Sequence, residues 1–271
     1  MCTLDQRAIG VFDSGLGGLT AVRHLQDLLP NENIVYFGDT GRVPYGTRSR
    51  DTIRRYTEED CHLLLDRDVK FIIAACGTVS SVSADLLQQL PVPAIGVVSP
   101  TAEAAVRSTK NKKIGILGTA ATINSASFEK AIVRLDSSIQ VTATPCPLFV
   151  PLVENGWIGK DDEVAVPMVR RYLSAVKAAG VDTLILGCTH FPLLAPIISQ
   201  ELGDGVTLID SGRETAALCA KLLREKDALA QRDGGSAQFF VSDQPEGFSR
   251  VAEIFLGKSV RETVEQIRPG G

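Results

Sequence analysis

Short apolar runs alternate with longer amphipathic patterns along almost the whole chain, and this alternation constrains the fold more than any other feature. Candidate strands fall at 8–12, 34–38, 70–75, 94–98, 113–118, 139–143, 182–187, 206–209 and 237–241. Most of these runs are almost continuously apolar, as strands buried on both faces are. Helical patterns occupy about 17–29, 48–67, 79–89, 100–108, 124–136, 161–179, 192–201, 212–226 and 245–255. Repetition of strand, helix and strand builds βαβ units, so the expected class is α/β with mainly parallel sheets flanked by helices.

The pattern also contains an internal echo. Ile-Gly followed by two apolar residues occurs at Ile9 and again at Ile114, 105 positions on, and Cys76 and Cys188 are separated by the similar offset of 112. Two similar α/β halves facing one another account for both offsets, although shared strand chemistry alone can produce a weak match. The Arg232-Asp-Gly-Gly-Ser stretch and the Pro269-Gly-Gly tail read as flexible.

Composition narrows the choice of partner. Lys plus Arg number 28 against 32 Asp plus Glu, a formal charge of −4, which gives no electrostatic footprint for nucleic acid and favours a small-molecule substrate. No apolar stretch approaches the ~20 residues of a membrane span. The first residues lack the basic start and apolar run of a signal peptide, so a cytoplasmic location is expected. Six cysteines contain no Cys-x-x-Cys pair and only three histidines accompany them, so neither a zinc site nor a disulfide framework is expected. Cys61 and Cys219 lie inside helical patterns and read as small buried hydrophobes.

Cys76 and Cys188 differ from these. Each stands where an apolar run ends, in Phe-Ile-Ile-Ala-Ala-Cys76-Gly77-Thr78 and Leu-Ile-Leu-Gly-Cys188-Thr189-His190. In open α/β sheets, ligands bind beyond the carboxyl ends of the strands. One thiol there suggests a nucleophile, whereas two in equivalent settings suit a symmetric task, such as moving a proton from one face of a carbon to the other. A thiol with an ordinary pKa of about 8.5 must become a thiolate to take a proton, and an adjacent acid–base group helps it cycle. His190 is placed to assist Cys188, and Asp13, at the end of the first strand, to assist Cys76. A structural histidine and a helix N-cap are the plainer readings of these two residues.

Three further segments bear on the site. Val11-Phe-Asp-Ser14-Gly-Leu-Gly-Gly-Leu-Thr joins a strand to a helix and suits anion binding by backbone N–H groups, but it lacks the third glycine of a dinucleotide fingerprint. Asp39-Thr-Gly-Arg-Val-Pro44-Tyr45-Gly46 is rich in turn formers and reads either as a ligand-gripping loop or as an ordinary βα connection. Glu154 follows Pro-Leu-Val, where apolar surroundings would call for a partner or a raised pKa, unless it is a solvated helix-end residue.

Together these segments resemble the glutamate racemases of the aspartate/glutamate racemase superfamily. The resemblance spans about 8–210 and rests on Phe-Asp-Ser-Gly-Leu-Gly-Gly at 12–18, Pro-Tyr-Gly at 44–46, Leu-Gly-Thr-Ala-Ala-Thr at 117–122, Pro-Leu-Val-Glu at 151–154 and Gly-Cys-Thr-His-Phe-Pro-Leu at 187–193. It implies two pseudo-symmetric α/β domains with the active site in the cleft between them, and cofactor-independent racemisation of glutamate for peptidoglycan synthesis. Cys76 would deprotonate D-glutamate with help from Asp13, and Cys188 would deprotonate L-glutamate with help from His190 and, nearby, Glu154. Asp13, Ser14, Pro44, Tyr45, Gly46, Gly77, Thr78, Thr119, Thr122, Thr189 and His190 would hold the substrate, largely through hydroxyls and backbone N–H groups. Homodimers are common among such proteins.

The expected domains are 1–97 plus 209–271 and 98–208, with the chain crossing the cleft twice. One departure from the family pattern is Gly77, where asparagine is usual after the first cysteine. A lost polar contact to a charged substrate costs about 1.5–3 kcal/mol, unless water takes its place. This leaves open a racemase for another acidic or polar amino acid, and a catalytically impaired binding protein on the same fold.

Overall fold

Each apolar run read as a strand pairs into one of two parallel sheets in the computed structural model, which describes residues 5–257 and 264–269. The first passage contains β1 (Ile9–Asp13), α1 (Leu19–Leu28), β2 (Ile34–Gly38), α2 (Arg50–Leu65), β3 (Phe71–Ala74), α3 (Gly77–Val82), α4 (Ala84–Leu87), β4 (Ala94–Gly96) and α5 (Val98–Ser108). The second contains β5 (Lys113–Gly118), α6 (Ala120–Ser125), α7 (Ser127–Leu135), β6 (Gln140–Pro145), α8 (Phe149–Glu154), α9 (Ala165–Ala179), β7 (Thr183–Leu186), α10 (Ala195–Leu202) and β8 (Thr207–Asp210). The chain then returns through α11 (Ser211–Glu225), β9 (Ala237–Val241), α12 (Pro245–Leu256) and β10 (Val264–Gln266).

Strand order explains the internal echo. The first sheet runs β10-β9-β2-β1-β3-β4 and the second β6-β5-β7-β8, so the order β2-β1-β3-β4 of one is repeated in the other. Ile9 and Ile114 begin corresponding inner strands, and Cys76 and Cys188 follow the corresponding strands β3 and β7. The pairing is parallel throughout both sheets, with β1 between β2 and β3, and β5 between β6 and β7. Helices cover the faces, which is why Phe12, Phe37, Ile72, Ile73, Ile116 and Ile185 are buried along strands that show no polar alternation. Helix α11 starts at the crossing between the units, where Asp210 Oδ1 accepts from the backbone N–H groups of Gly212 and Arg213, and it packs on both α1 and α5.

Several elements depart from the pattern read in the sequence. The helix expected at 79–89 begins at Gly77, directly after Cys76, and breaks at Ser83, whose hydroxyl pairs with that of Thr57 at 3.1 Å. The helix expected at 124–136 is two helices divided at Ala126, which adopts a left-handed conformation, and the first starts where Thr119 Oγ1 accepts from Thr122 N. Helix α9 starts later than expected because Asp162 accepts from the backbone N–H groups of Val164 and Ala165. The glycine stretch read as flexible is tied down, with Gly235 N donating to Pro30 O and Ser236 N to Asn33 Oδ1. Of the glycine-rich tail, Gly270 and Gly271 lie outside the described residues, as does Cys2. The remaining five cysteines are free and buried, including Cys61 and Cys219.

Candidate active site

The carboxyl ends of the two sheets face one another across a cavity of about 450 Å³, within the range that suits a small organic substrate. The first unit contributes Ser14, Pro44, Tyr45, Gly46, Cys76, Gly77 and Thr78 to its wall, and the second contributes Thr119, Thr122, Glu154, Cys188, Thr189 and His190. Every residue singled out in the sequence therefore lines this one cavity except Asp13. That residue is 1% exposed and lies beneath the glycine loop, where its Oδ2 accepts from Gly15 N. The helix-cap reading of Asp13 does not hold, because α1 begins after Gly18 with no side-chain cap.

The two thiols have different surroundings. Cys76 is the N-cap residue of α3, and its Sγ donates to Ser14 Oγ at 3.3 Å. Burial, followed by the neighbouring Asp13 charge, pushes this thiol up to about 12. Asp13 is itself held above the usual carboxylate range by burial, against the opposing pull of His190 and of the Gly18, Gly15 and Ser14 N–H groups. Its Oδ1 has no hydrogen-bond partner among the described residues. A carboxyl so placed can hold a proton and exchange it with a nearby thiol.

Cys188 has an ionisable partner in its own loop. Its Sγ lies 3.9 Å from His190 Nδ1, while His190 Nε2 lies 3.0 Å from Glu154 Oε1. Burial alone would lower the histidine, but Cys188 and Glu154 outweigh it and raise His190 to about 10. An imidazolium is thus the form beside Cys188 at neutral pH, supplying both a positive charge and a proton. Phe255 of α12 meets the imidazole edge-on at a centroid distance of 5.1 Å and limits its rotation. Glu154 is not enclosed by apolar groups as its neighbours in the sequence suggested. It is 48% exposed at the end of α8, with Leu152 and Val153 turned into the core instead.

Hydroxyl groups cross the cleft. Thr78 Oγ1 of the first unit lies 3.4 Å from Thr119 Oγ1 of the second, which in turn lies 3.0 Å from Thr122 Oγ1. The glycine loop makes a second crossing, in which any Cβ on Gly17 would overlap Thr189 Oγ1 and His190 Nδ1, and Thr20 Oγ1 donates to Thr189 O at 3.3 Å. A third is made at Gly77, where a Cβ would lie 2.5 Å from Gly187 O, inside contact distance. Gly77 thus lets the loop of one cysteine rest against the loop of the other.

Two features depart from the sequence reading. The Tyr45 hydroxyl faces away from the cavity and bonds to Asp39 and Asp60, so Tyr45 offers the cavity its backbone rather than its hydroxyl. Cys146, not singled out before, lines the cavity just beyond β6, with its thiol pushed up by burial and by nearby Cys188. Its position after a strand is the signal that would have found it, but β6 is largely exposed or half-buried and lacks a marked apolar run. Among the described residues, no cluster of three or more His, Cys, Asp or Glu side chains is arranged to hold a metal ion.

Two thiols facing one small cavity across a duplicated α/β fold define a class, the amino-acid racemases. The chain belongs to the Asp/Glu/Hydantoin racemase family, whose model matches residues 19–219. It is 47% identical over 253 residues to a glutamate racemase of Geobacter metallireducens, covering 93% of each chain. A crystal structure of a glutamate racemase isoform from Bacillus anthracis matches with a TM-score of 0.91 at 38% identity, covering 96% of this chain and 97% of the other. The structure of glutamate racemase from Francisella tularensis in complex with D-glutamate matches with a TM-score of 0.90 at 36% identity, covering 97% and 98%.

Proposed function

We propose that this protein interconverts L- and D-glutamate by two-base proton transfer and supplies D-glutamate, in the cytoplasm, for peptidoglycan synthesis. The observation that carries this reading is the placement of Cys76 and Cys188 at corresponding strand ends on the two sides of one cavity, each beside its own proton-handling group. We take the units forming the cleft to be 1–97 plus 209–271 and 98–208.

In each turnover one sulfur enters as thiolate and the other as thiol. The thiolate takes the α-hydrogen as a proton, and the C–H bonding pair stays on the substrate as a planar carbanion conjugated with the carboxylate. The opposite thiol then gives its proton to the other face and becomes the thiolate. The two sulfurs have exchanged protonation states, and they are reset by proton exchange through Asp13 on one side and His190 with Glu154 on the other. Ser14, the Tyr45 and Gly46 backbone and the Thr78, Thr119, Thr122 and Thr189 hydroxyls hold the substrate carboxylates and ammonium group. Preformed donors of this kind stabilise charge that grows on the carboxylate in the transition state. Burial of Cys76 opposes its ionisation, and the positive charge of a bound α-ammonium group would act in the opposite direction.

Incubation with a single enantiomer of glutamate in deuterated water, without added cofactor, tests this reading. The expected result is loss of optical rotation with deuterium at Cα of the product. No exchange from either enantiomer in a folded, reduced sample would overturn it, and exchange with aspartate but not glutamate would replace the substrate.

A further inference from the structure

The loop that places Pro44, Tyr45 and Gly46 on the cavity wall is anchored behind the wall by a buried cluster. Arg42 Nε lies 2.5 Å from Asp39 Oδ2, Arg42 Nη2 lies 2.9 Å from Asp60 Oδ1, and Arg42 Nη1 pairs with Glu59. Its guanidinium also stacks over the Tyr56 ring at 4.0 Å. The Tyr45 hydroxyl meets Asp39 Oδ2 on one side and Asp60 Oδ2, at 3.0 Å, on the other. Asp39 and Asp60 are fully buried.

This cluster is short of hydrogens. A phenol carries one hydrogen, so it can donate to one of two carboxylates, and the second contact needs a hydrogen brought by the carboxyl itself. Glu59 is partly exposed and also pairs with Arg55 at 3.9 Å, so Arg42 is the one guanidinium that reaches the two buried carboxylates, and ionisation of both Asp39 and Asp60 would leave net negative charge out of reach of water. Asp39 Oδ1 has no partner among the described residues, which shows that no spare donor is at hand. We infer that Asp60 is a positioning residue of the substrate loop: it carries a proton, donates it to the Tyr45 oxygen, and through Tyr45 and Asp39 holds the backbone of Pro44, Tyr45, Gly46 and Thr47 on the cavity wall.

The charged and titratable groups facing Asp60 agree with that assignment. Burial first, then Asp39 and Glu59, raise it well above the usual carboxylate range, and Arg42 and Tyr45 oppose them incompletely. The chain of donors therefore runs from Asp60 to Tyr45 to Asp39, whose own backbone N–H donates to Asp13 O at 3.0 Å. The loop so fixed reaches across the cleft, since a Cβ on Gly46 would lie 3.7 Å from Thr119 Oγ1.

The inference rests on the proposed racemase reading, and three measurements separate the two. Wild-type turnover of glutamate tests the reading itself. Asp60→Asn, whose amide N–H can donate to Tyr45 as a protonated carboxyl does, is expected to keep KM within about twofold of wild type. Asp60→Ala is expected to raise KM about tenfold or more with a smaller change in kcat, the split expected when uniform substrate binding is lost. Amide hydrogen exchange in peptides covering Tyr45 to Arg48 is expected to quicken in Asp60→Ala and stay slow in Asp60→Asn, with no substrate present. Loss of KM and of amide protection to the same degree in both variants would show that the charge, not the proton, is needed and would overturn the inference. Unchanged KM and protection in Asp60→Ala would overturn it too. Should Asp60→Ala fail to fold, Tyr45→Phe, which removes the hydroxyl and keeps the ring, is expected to give the same KM and exchange changes, and wild-type values there would be fatal.

Discussion

The loop after β3 and the loop after β7 are equivalent in topology and unlike in chemistry. Cys76 opens a helix, bonds to the neutral Ser14 hydroxyl and feels the charge of Asp13 from another strand, a carboxyl sealed from water. Cys188 sits beside a histidine of its own loop whose second nitrogen reaches a carboxylate that is 48% exposed. The repeated strand order supplies two matched positions for a thiol, while the groups beside each thiol differ. In the proposed reaction one side would exchange protons through a buried acid, and the other through a relay that ends in solvent.

This contrast meets a thermodynamic limit. Free L- and D-glutamate have equal energy in water, so kcat/KM is the same in both directions at every pH. Any asymmetry between the thiols must show in kcat and KM taken separately, and in isotope effects with α-deuterated substrate. The largest expected effect is that of Cys76→Ser or Cys188→Ser, each lowering interconversion by about 10³-fold or more in a polarimetric assay. Near-normal rates in both would remove the basis of the comparison. Next, His190→Gln and Asp13→Asn are each expected to lower kcat about 10²-fold, with opposite bias between the two enantiomers as starting substrate. Equal losses in both directions from both variants would break the claim that each group serves one thiol.

A smaller effect is expected at the point where the two loops touch. Gly77→Ala puts a methyl group against Gly187 O, and overpacking of about 1–3 kcal/mol should cost roughly tenfold to 10²-fold in kcat/KM. A variant as active as wild type would show that the loops separate during turnover. The mildest change is Glu154→Gln. Against burial, Cys188 and then Glu154 raise His190 from 6.5 to about 10, so its imidazolium is lost, and with it the alkaline side of kcat, as pH climbs through about 10. The same shift adds to folding stability, fully below pH 6.5 and not at all well above 10. Removing the carboxylate should move the alkaline limb to lower pH by an amount tempered by solvent screening, as read from pH profiles of kcat. An unmoved limb would show that Glu154 is a bystander.

The strands were legible because parallel strands covered on both faces must be apolar along their whole length, and Ile72, Ile73, Leu184 and Ile185 carry no other message. Helix α8 was not, being six residues long with Pro151 inside it, and neither was β10, three residues at the sheet edge. The thiols were legible from their strand ends, and His190 from its place beside one of them. Side-chain direction was not: Tyr45 stands in a loop whose composition suits ligand binding, yet its hydroxyl is claimed by Asp39 and Asp60, residues that come together only in the folded chain. The partner of Glu154 was hidden for the same reason, since His190 is 36 residues away.

The seam between Gly17, Thr20 and Thr189 has a consequence for how substrate enters. It bonds the two units directly beside the second thiol, so any widening of the cavity that preserves it must pivot there. The Pro44 to Thr47 loop, which meets Thr119 across the cleft, would then have to part from it. Such a movement would open the cavity at that contact and leave the Thr189 side of Cys188 in place.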